Sequence, residues 1–231
     1  MTLPRIASRE DWLAARRALL EQEKAHVRRQ DELAAARRAL PMVRIDKDYR
    51  FATPRGEASL ADLFGPHSQL IVYHFMFGPD WEQGCPSCSF WADNFDGIDV
   101  HLAARDTAFA AVSNAPVAKL EDYRRRLGWR FRWVSAGGTS FGEDFGVTFP
   151  DTDGAPRPGY NYSDTVIGEE MPGVSVFVRL EDGTVCHSYS AYARGIEAFN
   201  GAYHLLDLTP KGRDEDGLPH TMAWVRRRDA Y

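Results

Sequence analysis

The pattern of apolar positions changes at Pro41. Before that residue, one narrow apolar stripe recurs every seven residues in a segment otherwise rich in Arg, Glu and Gln. The stripe consists of Trp12, Leu19, His26, Leu33 and Leu40. Ser8 followed three residues later by Asp11 resembles a capping box, and Pro41 is a helix terminator. The pattern predicts one long amphipathic helix over residues 8–40, which forms an N-terminal extension of residues 1–41.

The stripe on this predicted helix requires an apolar partner. We expect it to pack on the body of its own chain, as surface helices of monomers commonly do. The alternative is pairing with a second subunit, which would give a homodimer through the N-terminal helix.

Residues 42–231 show alternating strand and helix patterns. Buried strands are predicted at "SQLIVYHFMF", "TAFAAVS" and "RFRWVSA". The first intervening helix is predicted to run from Cys85 to about Arg105. The second begins with Pro116 in its first turn and stops at Gly128. This order implies parallel strand pairing with right-handed crossovers.

Shorter elements flank these strands. "MVRIDKDYRF" alternates like an edge strand, and "ASLADLF" is typical of a short helical turn. Residues 136–170 have no clear period and are predicted to be an irregular insertion. "VSVFVRLEDGTVCHSYS" indicates a hairpin around "EDG", and a final helix is expected from about Gly195 to Leu208. The pattern is that of an α/β domain.

Composition restricts the choice of partners. The formal net charge is −5, and the basic residues are scattered. Nucleic-acid binding usually requires a basic face, so no such partner is expected. "YRRRLGW" and "WVRRRDA" are interpreted as solvated faces. The first residues lack the apolar core of a secretory signal, and "LIVYHFMF" is too short to span a bilayer. We expect a cytoplasmic protein without membrane contact.

The most informative stretch is "FGPDWEQGCPSCSFWADNF", residues 77–95. A buried strand ends near Phe77, and Cys85 falls where a helix begins, with Pro86 in its first turn. A thiolate at that position is stabilised by free backbone N–H groups and the helix dipole, so the Cys85 pKa should fall below about 8.5. Cys88 lies one turn further, within disulfide range. We predict that Cys85 attacks a disulfide and Cys88 resolves the intermediate.

Two other interpretations of the cysteines remain open. Cys85 and Cys88 could be buried core thiols without chemistry. They could also bind zinc or iron together with Cys186 and His74, although a close pair plus two distant ligands is a weak zinc pattern. Cys186 is interpreted as a core residue on a strand, facing away from His187. No metal or organic cofactor is predicted.

The arrangement resembles a thioredoxin fold and, more closely, the bacterial family known as domain of unknown function 899. The resemblance rests on "LIVYHFMFGPDWEQGCPSCSFWADNFDG", "LGWRFRWVS", "YARGIEAFNGAYHLLDLTPKGRDE" and "MAWVRRRDAY", and it covers nearly the whole chain. It implies a thioredoxin-like domain over residues 42–231, with a central mixed sheet flanked by helices. It also implies dithiol-disulfide oxidoreductase activity.

Carried over by residue, the resemblance makes Cys85 and Cys88 the redox pair. Pro172 occupies the place where thioredoxin-like proteins keep a cis-proline, so the Met171 backbone would pair with an extended substrate. An ordinary trans-proline at a strand start is the alternative. Trp81, Pro86 and Arg194 are further candidates for shaping the site.

The chain departs from the thioredoxin pattern at several positions. Gly84 replaces the tryptophan that precedes the first cysteine, and the intervening pair is Pro-Ser rather than Gly-Pro. "FGEDFGVTF" is similar to peroxiredoxin-like relatives, but Glu82 stands where a peroxidatic site has threonine, which argues against a peroxidase. We therefore predict thiol-disulfide exchange with a protein or small-molecule disulfide. A metal-binding protein and a redox-inert binding module are the alternatives.

Overall fold

The N-terminal helix forms as predicted, but its stripe is not covered. The computed structural model describes residues 4–149, 159–166 and 168–231. Helix α1 spans Arg9–Arg38, and the Ser8 side chain accepts a hydrogen bond from the Asp11 N–H. No residue of α1 is buried, and Trp12 is 48% exposed. The expectation that the stripe packs on its own chain is wrong. Contact with the body includes the last turn, where the Arg37 guanidinium lies 5.6 Å from the centroid of the Tyr189 ring.

The body is built on one eight-stranded sheet with the order β1-β8-β7-β4-β5-β6-β2-β3. The strands are β1 Val43–Arg44, β2 Arg50–Thr53, β3 Gly56–Ser59, β4 Gln69–His74, β5 Thr107–Ser113, β6 Arg132–Ser135, β7 Gly173–Arg179 and β8 Val185–Tyr192. Strands β4, β5 and β6 are parallel, whereas β7 is antiparallel to β4 and β8 is antiparallel to β7. The predicted parallel strands and the hairpin are therefore confirmed, and the sheet is mixed.

Six further helices follow α1 within the described residues. They are α2 Leu60–Leu63, α3 Pro86–Phe95, α4 Asp99–Ala103, α5 Val117–Leu127, α6 Phe141–Asp144 and α7 Gly201–Leu206, with 3-10 segments at Tyr160–Tyr162 and Ala193–Phe199. Strand β4, helix α3, parallel strand β5 and the β7–β8 hairpin form a thioredoxin-like α/β core. The long N-terminal helix is an addition to that core.

The apolar run of β4 is explained by burial on both faces of the sheet. Tyr73 and, just beyond the strand, Phe75 and Phe77 enter a core beneath α3 and α5. Leu70 and Val72 enter a second core on the other face, with Phe141 and Phe177. Because successive residues of a strand point to opposite faces of the sheet, the side chain of His74, next to Tyr73, lies on the face opposite α3.

Two predicted elements are divided in the structure. The helix after Cys85 stops at Phe95, and Gly97 with a φ of 88° separates it from α4, since this backbone conformation favours glycine. The expected helix from Gly195 to Leu208 is a 3-10 segment followed by α7. Buried Asn200 lies between them and accepts a hydrogen bond from the Tyr203 N–H. Helix α5 instead ends as predicted, at Gly128 in the left-handed conformation.

The predicted edge strand after Pro41 is also split. β1 pairs with β8 at one edge, whereas β2 pairs with β6 and β3 near the other edge. Ile45, Tyr49 and Phe51 pack into the core of the second face. The alternating pattern therefore reflects a segment that crosses beneath the sheet rather than one continuous edge strand.

The predicted insertion at residues 136–170 contains packed structure where it is described. Helix α6 contributes Phe141 to the second core, and Phe145 follows it there. Thr148 forms an isolated antiparallel bridge with Glu170. The part of the prediction that concerns residues 150–158 and 167 lies outside the described residues.

Candidate redox site

Cys85 lies where the sequence places it, at the amino end of α3. It is the residue before the helix, and Pro86 occupies the first helical position. The Cys85 N–H donates to the Met76 carbonyl at 3.1 Å, which folds the loop back onto the end of β4. Because Pro86 has no N–H to leave unpaired, the helix begins here at little cost.

Ser87 and Cys88 lower the pKa of Cys85. The largest effect is hydrogen bonding with the Cys88 side chain. Hydrogen bonding with the backbone of Cys88 and Ser87 and with the Ser87 side chain adds to it. These bonds outweigh the opposing effect of burial and lower the pKa of Cys85 to about 6. The positive end of the α3 dipole acts in the same direction.

Cys88 has the opposite electrostatic environment. It is only 2% exposed, and its sulfur accepts a 3.5 Å contact from the Met76 N–H. Burial raises the pKa of Cys88 well above its ordinary value, and the hydrogen bond to Cys85 and the charge of its thiolate raise it further. Both residues are free thiols in this structure. The pair therefore consists of an accessible thiolate and a buried protonated thiol in contact.

Gly84 is required by the packing around Phe75. A Cβ atom at this position would lie 2.7 Å from the Phe75 ring and 3.2 Å from the Tyr123 ring. A larger residue would displace one of these buried aromatics. This explains the departure from the tryptophan found in thioredoxin.

Arg227, which the sequence analysis interpreted as part of a solvated face, lies at the site. Its Nη2 donates to the Gly84 carbonyl at 2.7 Å, and its Nε donates to the Tyr123 hydroxyl at 2.7 Å. The Ser89 hydroxyl contacts the Tyr123 hydroxyl and donates to the Cys85 carbonyl, both at 2.9 Å. Arg227 thus fixes the Gly84 carbonyl directly and the Cys85 carbonyl through the hydroxyls of Tyr123 and Ser89. Val225, two residues before Arg227, is buried, and this apolar residue next to three arginines is the signal in the sequence that the tail is docked.

Trp81 packs against the core beneath α3 and α5. The Lys119 ammonium donates to the Trp81 carbonyl at 3.1 Å and to the Pro79 carbonyl at 2.7 Å. These hydrogen bonds fix the loop that carries Trp81, just before Cys85 in the sequence, against α5.

The segment Met171–Pro172 has a trans peptide bond, since none of the peptide bonds that the structure describes is cis. The Met171 N–H donates to the Val147 carbonyl at 2.8 Å. This N–H is therefore already used within the chain, and pairing of the Met171 backbone with an extended substrate stays a prediction.

Tyr160 is a second residue that the sequence analysis missed. Its hydroxyl donates to the Pro172 carbonyl at 2.6 Å and accepts from the Ala193 N–H at 2.7 Å. Burial raises the pKa of Tyr160 to about 12, and the nearby charge of a Cys88 thiolate contributes. Tyr160 comes from the irregular insertion, where no pattern indicates a fixed side chain.

Arg194 is not brought into this cluster. Its side chain is 86% exposed and forms an ion pair with Glu197 at 3.0 Å. Among the predicted residues, Cys85, Cys88 and Pro86 meet at the start of α3.

The alternative metal-ligand set is not assembled. The His74 Nε2 contacts the Ser175 hydroxyl at 2.8 Å, and the His74 ring lies against Phe141 on the second face of the sheet. Cys186 is buried on β8. Within the described ranges, no three His, Cys, Asp or Glu side chains are grouped to hold a metal ion.

A cleft lies at the same edge of the sheet as Cys85, beyond the carboxyl ends of β5 and β6. Its volume is about 1090 Å³, and its lining includes Pro79, Asn114, Pro116 and Glu170. The Glu170 carboxyl accepts a hydrogen bond from the Asn114 side chain at 2.7 Å. Burial raises the pKa of Glu170 to about 7.

The family model for DUF899, a bacterial protein family of unknown function, matches residues 1–231. The chain belongs to this family. A search of curated proteins gave no significant match. In the part of the DUF899 chain that the structure describes, the helices are too short or too polar to cross a membrane.

Solved structures similar to this DUF899 protein include peroxiredoxins. Peroxidoxin BcpB from Mycobacterium tuberculosis is 16% identical, with 71% of this chain and 91% of that chain covered and a TM-score of 0.48. Peroxiredoxin Q from Xanthomonas campestris is 13% identical, with 76% and 99% covered and a TM-score of 0.47. Both TM-scores are below 0.5, so neither resemblance assigns an activity to this chain.

Proposed function

We propose that this DUF899 protein is a thiol-disulfide oxidoreductase. The observation that carries the proposal is the asymmetry of the cysteine pair. The Cys85 sulfur is half-buried and has its pKa lowered to about 6, whereas the contacting Cys88 sulfur is buried and keeps its proton. An attacking thiol is most effective when its pKa is near the ambient pH.

The first step forms one S–S bond and breaks another. The Cys85 thiolate attacks one sulfur of a substrate disulfide, a mixed disulfide forms, and the second substrate sulfur leaves as a thiolate. Loss of the negative charge on Cys85 removes one cause of the raised pKa of Cys88. Cys88 then becomes easier to deprotonate.

The second step closes the Cys85–Cys88 disulfide. The Cys88 thiolate attacks the Cys85 sulfur, and the remaining substrate sulfur leaves as a thiolate. The two departing thiolates take up the protons lost by the protein thiols through solvent. In sum, one substrate disulfide is reduced to two thiols and the protein dithiol is oxidised.

The proposed substrate is a protein or small-molecule disulfide. Neither a metal nor an organic cofactor takes part in the two steps. A reducing cytoplasmic setting belongs to the proposal, because there a close cysteine pair is more often catalytic than structural.

The test follows reduction of 5,5′-dithiobis(2-nitrobenzoate) and of glutathione disulfide by the pre-reduced protein. We expect Cys85→Ser to abolish reduction above the uncatalysed rate. Cys88→Ser should release one thiol and stop as a mixed disulfide, which intact-protein mass spectrometry detects. The matched control is Cys186→Ala, which removes the third thiol and should leave the rate unchanged.

Three results would contradict the proposal. Unchanged exchange after Cys85→Ser would indicate a redox-inert fold. Stoichiometric zinc or iron in freshly purified protein, lost with either cysteine, would indicate a metal site. Faster reaction with hydrogen peroxide than with any disulfide would indicate a peroxidase.

A further inference from the structure

Tyr73 is a tyrosine of β4 whose hydroxyl group lies beside the second cysteine of the pair. The side chain is fully buried and belongs to the core beneath α3 that also contains Cys88. Its ring packs edge-on against Phe95 and Phe75, whose ring centroids are 4.9 Å and 6.0 Å away. These contacts fix the ring, so the hydroxyl group is held against α3.

The hydrogen bond between the Tyr73 hydroxyl and the backbone of Cys88 is long. The hydroxyl donates to the Cys88 carbonyl at 3.3 Å, whereas O–H···O hydrogen bonds are commonly about 2.7–2.8 Å in length. A hydroxyl hydrogen rotates to suit the acceptors around it, and the sulfur of the same residue is a second acceptor. Burial raises the pKa of Cys88 most strongly, and hydrogen bonding with the Tyr73 side chain opposes that rise.

The proposed closing step requires a negative charge on the buried sulfur of Cys88. This residue is 2% exposed, so its thiolate is largely shielded from water, and an unsolvated charge is costly. The Met76 N–H contacts the sulfur at 3.5 Å. A second donor would stabilise the thiolate further, because hydrogen bonds to ionised groups are about twice as strong as those between neutral groups.

Tyr73 keeps its proton at neutral pH. Burial raises the pKa of the Tyr73 hydroxyl well above its ordinary value, and the charge of a Cys88 thiolate raises it further. Cys85, at the start of α3, and Tyr160, in the 3-10 segment, also face this contact. Burial raises the pKa of Tyr160 to about 12, so it is neutral as well. Tyr73 can therefore act as a donor but not as a base.

We propose that the Tyr73 hydroxyl stabilises the Cys88 thiolate and thereby sets the rate at which the disulfide closes. This inference rests on the proposed thiol-disulfide exchange. As Cys88 loses its proton to solvent, the hydroxyl hydrogen of Tyr73 turns from the Cys88 carbonyl to the Cys88 sulfur. The thiolate then attacks Cys85. The Cys85–Cys88 bond forms, the bond from Cys85 to the substrate breaks, and the substrate sulfur leaves with the electron pair.

The size of the effect follows from the lost hydrogen bond. A hydrogen bond to a charged group changes an equilibrium constant by about ten- to a hundredfold. Without the hydroxyl, the thiolate fraction of Cys88 at pH 7 falls by about that factor. The remaining thiolate is more nucleophilic, which recovers about half of the loss on a logarithmic scale. Closure should therefore slow about three- to tenfold. The first step should be unaffected, because Ser87 and Cys88 stabilise the Cys85 thiolate.

The test separates the two steps by stopped-flow mixing of reduced protein with excess 5,5′-dithiobis(2-nitrobenzoate) at pH 7. All chains carry Cys186→Ala, so the signal comes from the pair. The first release of thionitrobenzoate reports attack by Cys85, and its rate depends on the reagent concentration. The second release reports closure by Cys88, and its rate does not. Tyr73→Phe should leave the first rate within about twofold of the wild type and slow the second about three- to tenfold.

Two further chains show whether the hydroxyl group acts as a donor. Replacing Tyr73 with 3-fluorotyrosine nearly preserves the shape of the side chain and makes its hydroxyl more acidic, so closure should be at least as fast as in the wild type. Tyr49→Phe is the matched control. It removes a buried hydroxyl from the second core, where that group donates to Asp144 at 2.8 Å, and both rates should stay within about twofold of the wild type.

Three results would overturn the role of Tyr73. The first is closure at the wild-type rate in Tyr73→Phe. The second is equal slowing of both releases, which indicates that the hydroxyl supports only the structure of the site. The third is a 3-fluorotyrosine chain that closes as slowly as Tyr73→Phe. Absence of either release in the wild-type chain would instead contradict the proposed exchange itself.

Discussion

His74 leads to a quantitative prediction about acid stability. It is buried on the second face of the sheet, where its Nε2 contacts the Ser175 hydroxyl at 2.8 Å. The Ser175 hydroxyl contacts that of Ser190 at 2.8 Å, and the Ser190 hydroxyl contacts the His187 Nε2 at 2.7 Å. Burial lowers the pKa of His74 to about 3, and the positive charge of His187 adds to the effect. His74 is therefore neutral in the folded protein at neutral pH.

The direction of the pH effect on stability follows from the protonation of His74 in the folded and the unfolded states. In the unfolded chain a histidine has a pKa of about 6.5. Below that pH the unfolded chain binds a proton that the folded protein does not bind, so the free energy of unfolding falls as the pH falls from about 6.5 toward 3. At pH 5.0 the loss is about 2 kcal/mol, because 1.5 pH units at about 1.36 kcal/mol each separate this pH from the unfolded pKa. This figure does not depend on the folded pKa as long as that pKa lies well below 5.

The assay is urea unfolding followed by tryptophan fluorescence at pH 7.0 and pH 5.0. His74→Gln keeps a polar group that can contact Ser175 but removes the titration. Between the two pH values, the variant should lose about 2 kcal/mol less unfolding free energy than the wild type. His101→Gln, at an exposed position of α4, should lose as much as the wild type. Equal losses for His74→Gln and wild type would refute the assignment of a neutral buried His74.

Three further predictions concern the site and its surroundings. Arg227→Gln removes two hydrogen bonds of 2.7 Å from a charged donor and should slow disulfide exchange about tenfold, since small displacements of reacting groups are costly. The control Arg228→Gln, at an exposed neighbouring position, should leave the rate within about twofold of the wild type. Equal rates for both variants would exclude positioning by Arg227. Glu170→Gln should raise the free energy of unfolding at pH 8 by up to about 3 kcal/mol, because the carboxyl pKa is about 7 when folded but near 4.5 when unfolded. The gain should vanish at pH 4.5, and a gain at both pH values would point to a different cause. Gly84→Ala should lower the free energy of unfolding by about 1–3 kcal/mol, because the added Cβ would lie 2.7 Å from the Phe75 ring. An unchanged urea midpoint of unfolding would show that the Phe75 ring moves aside freely.

The local chemistry of the redox pair could be predicted because it depends on neighbours in sequence. A buried strand, a short loop and the order Cys-Pro-Ser-Cys fix the start of α3. The groups that lower the pKa of Cys85 belong to Ser87 and Cys88. Helix α5 and its stop at Gly128 were predictable for the same reason.

Contacts between distant residues could not be predicted from pattern. Arg227 reaches Gly84 across 143 positions, and its charge alone indicated a solvated surface. Tyr160 lies in a segment without periodicity and is fixed by the Pro172 carbonyl and the Ala193 N–H. The hydrogen bond from the Met171 N–H to the Val147 carbonyl also joins two segments whose pairing no pattern indicates.

The stripe of α1 shows another limit of periodicity. A repeat of seven identifies which face of a helix is apolar, but it does not identify the partner. The alternation after Pro41 likewise indicates the buried positions Tyr49 and Phe51. It does not show that the segment begins at one edge of the sheet and continues near the other. In both cases the pattern identifies the apolar face, and tertiary geometry decides whether and by what that face is covered.

The most direct test of the central claim is the pH dependence of Cys85 alkylation. Reduced protein is treated with iodoacetamide between pH 4 and pH 10, and the rate at each cysteine is followed by peptide mass spectrometry. The structure predicts that Cys85 reacts first, with a midpoint near pH 6, and that Cys88 is protected at neutral pH. A Cys85 midpoint at or above about 8.5, the value of a free thiol, or faster modification of Cys88, would contradict the account.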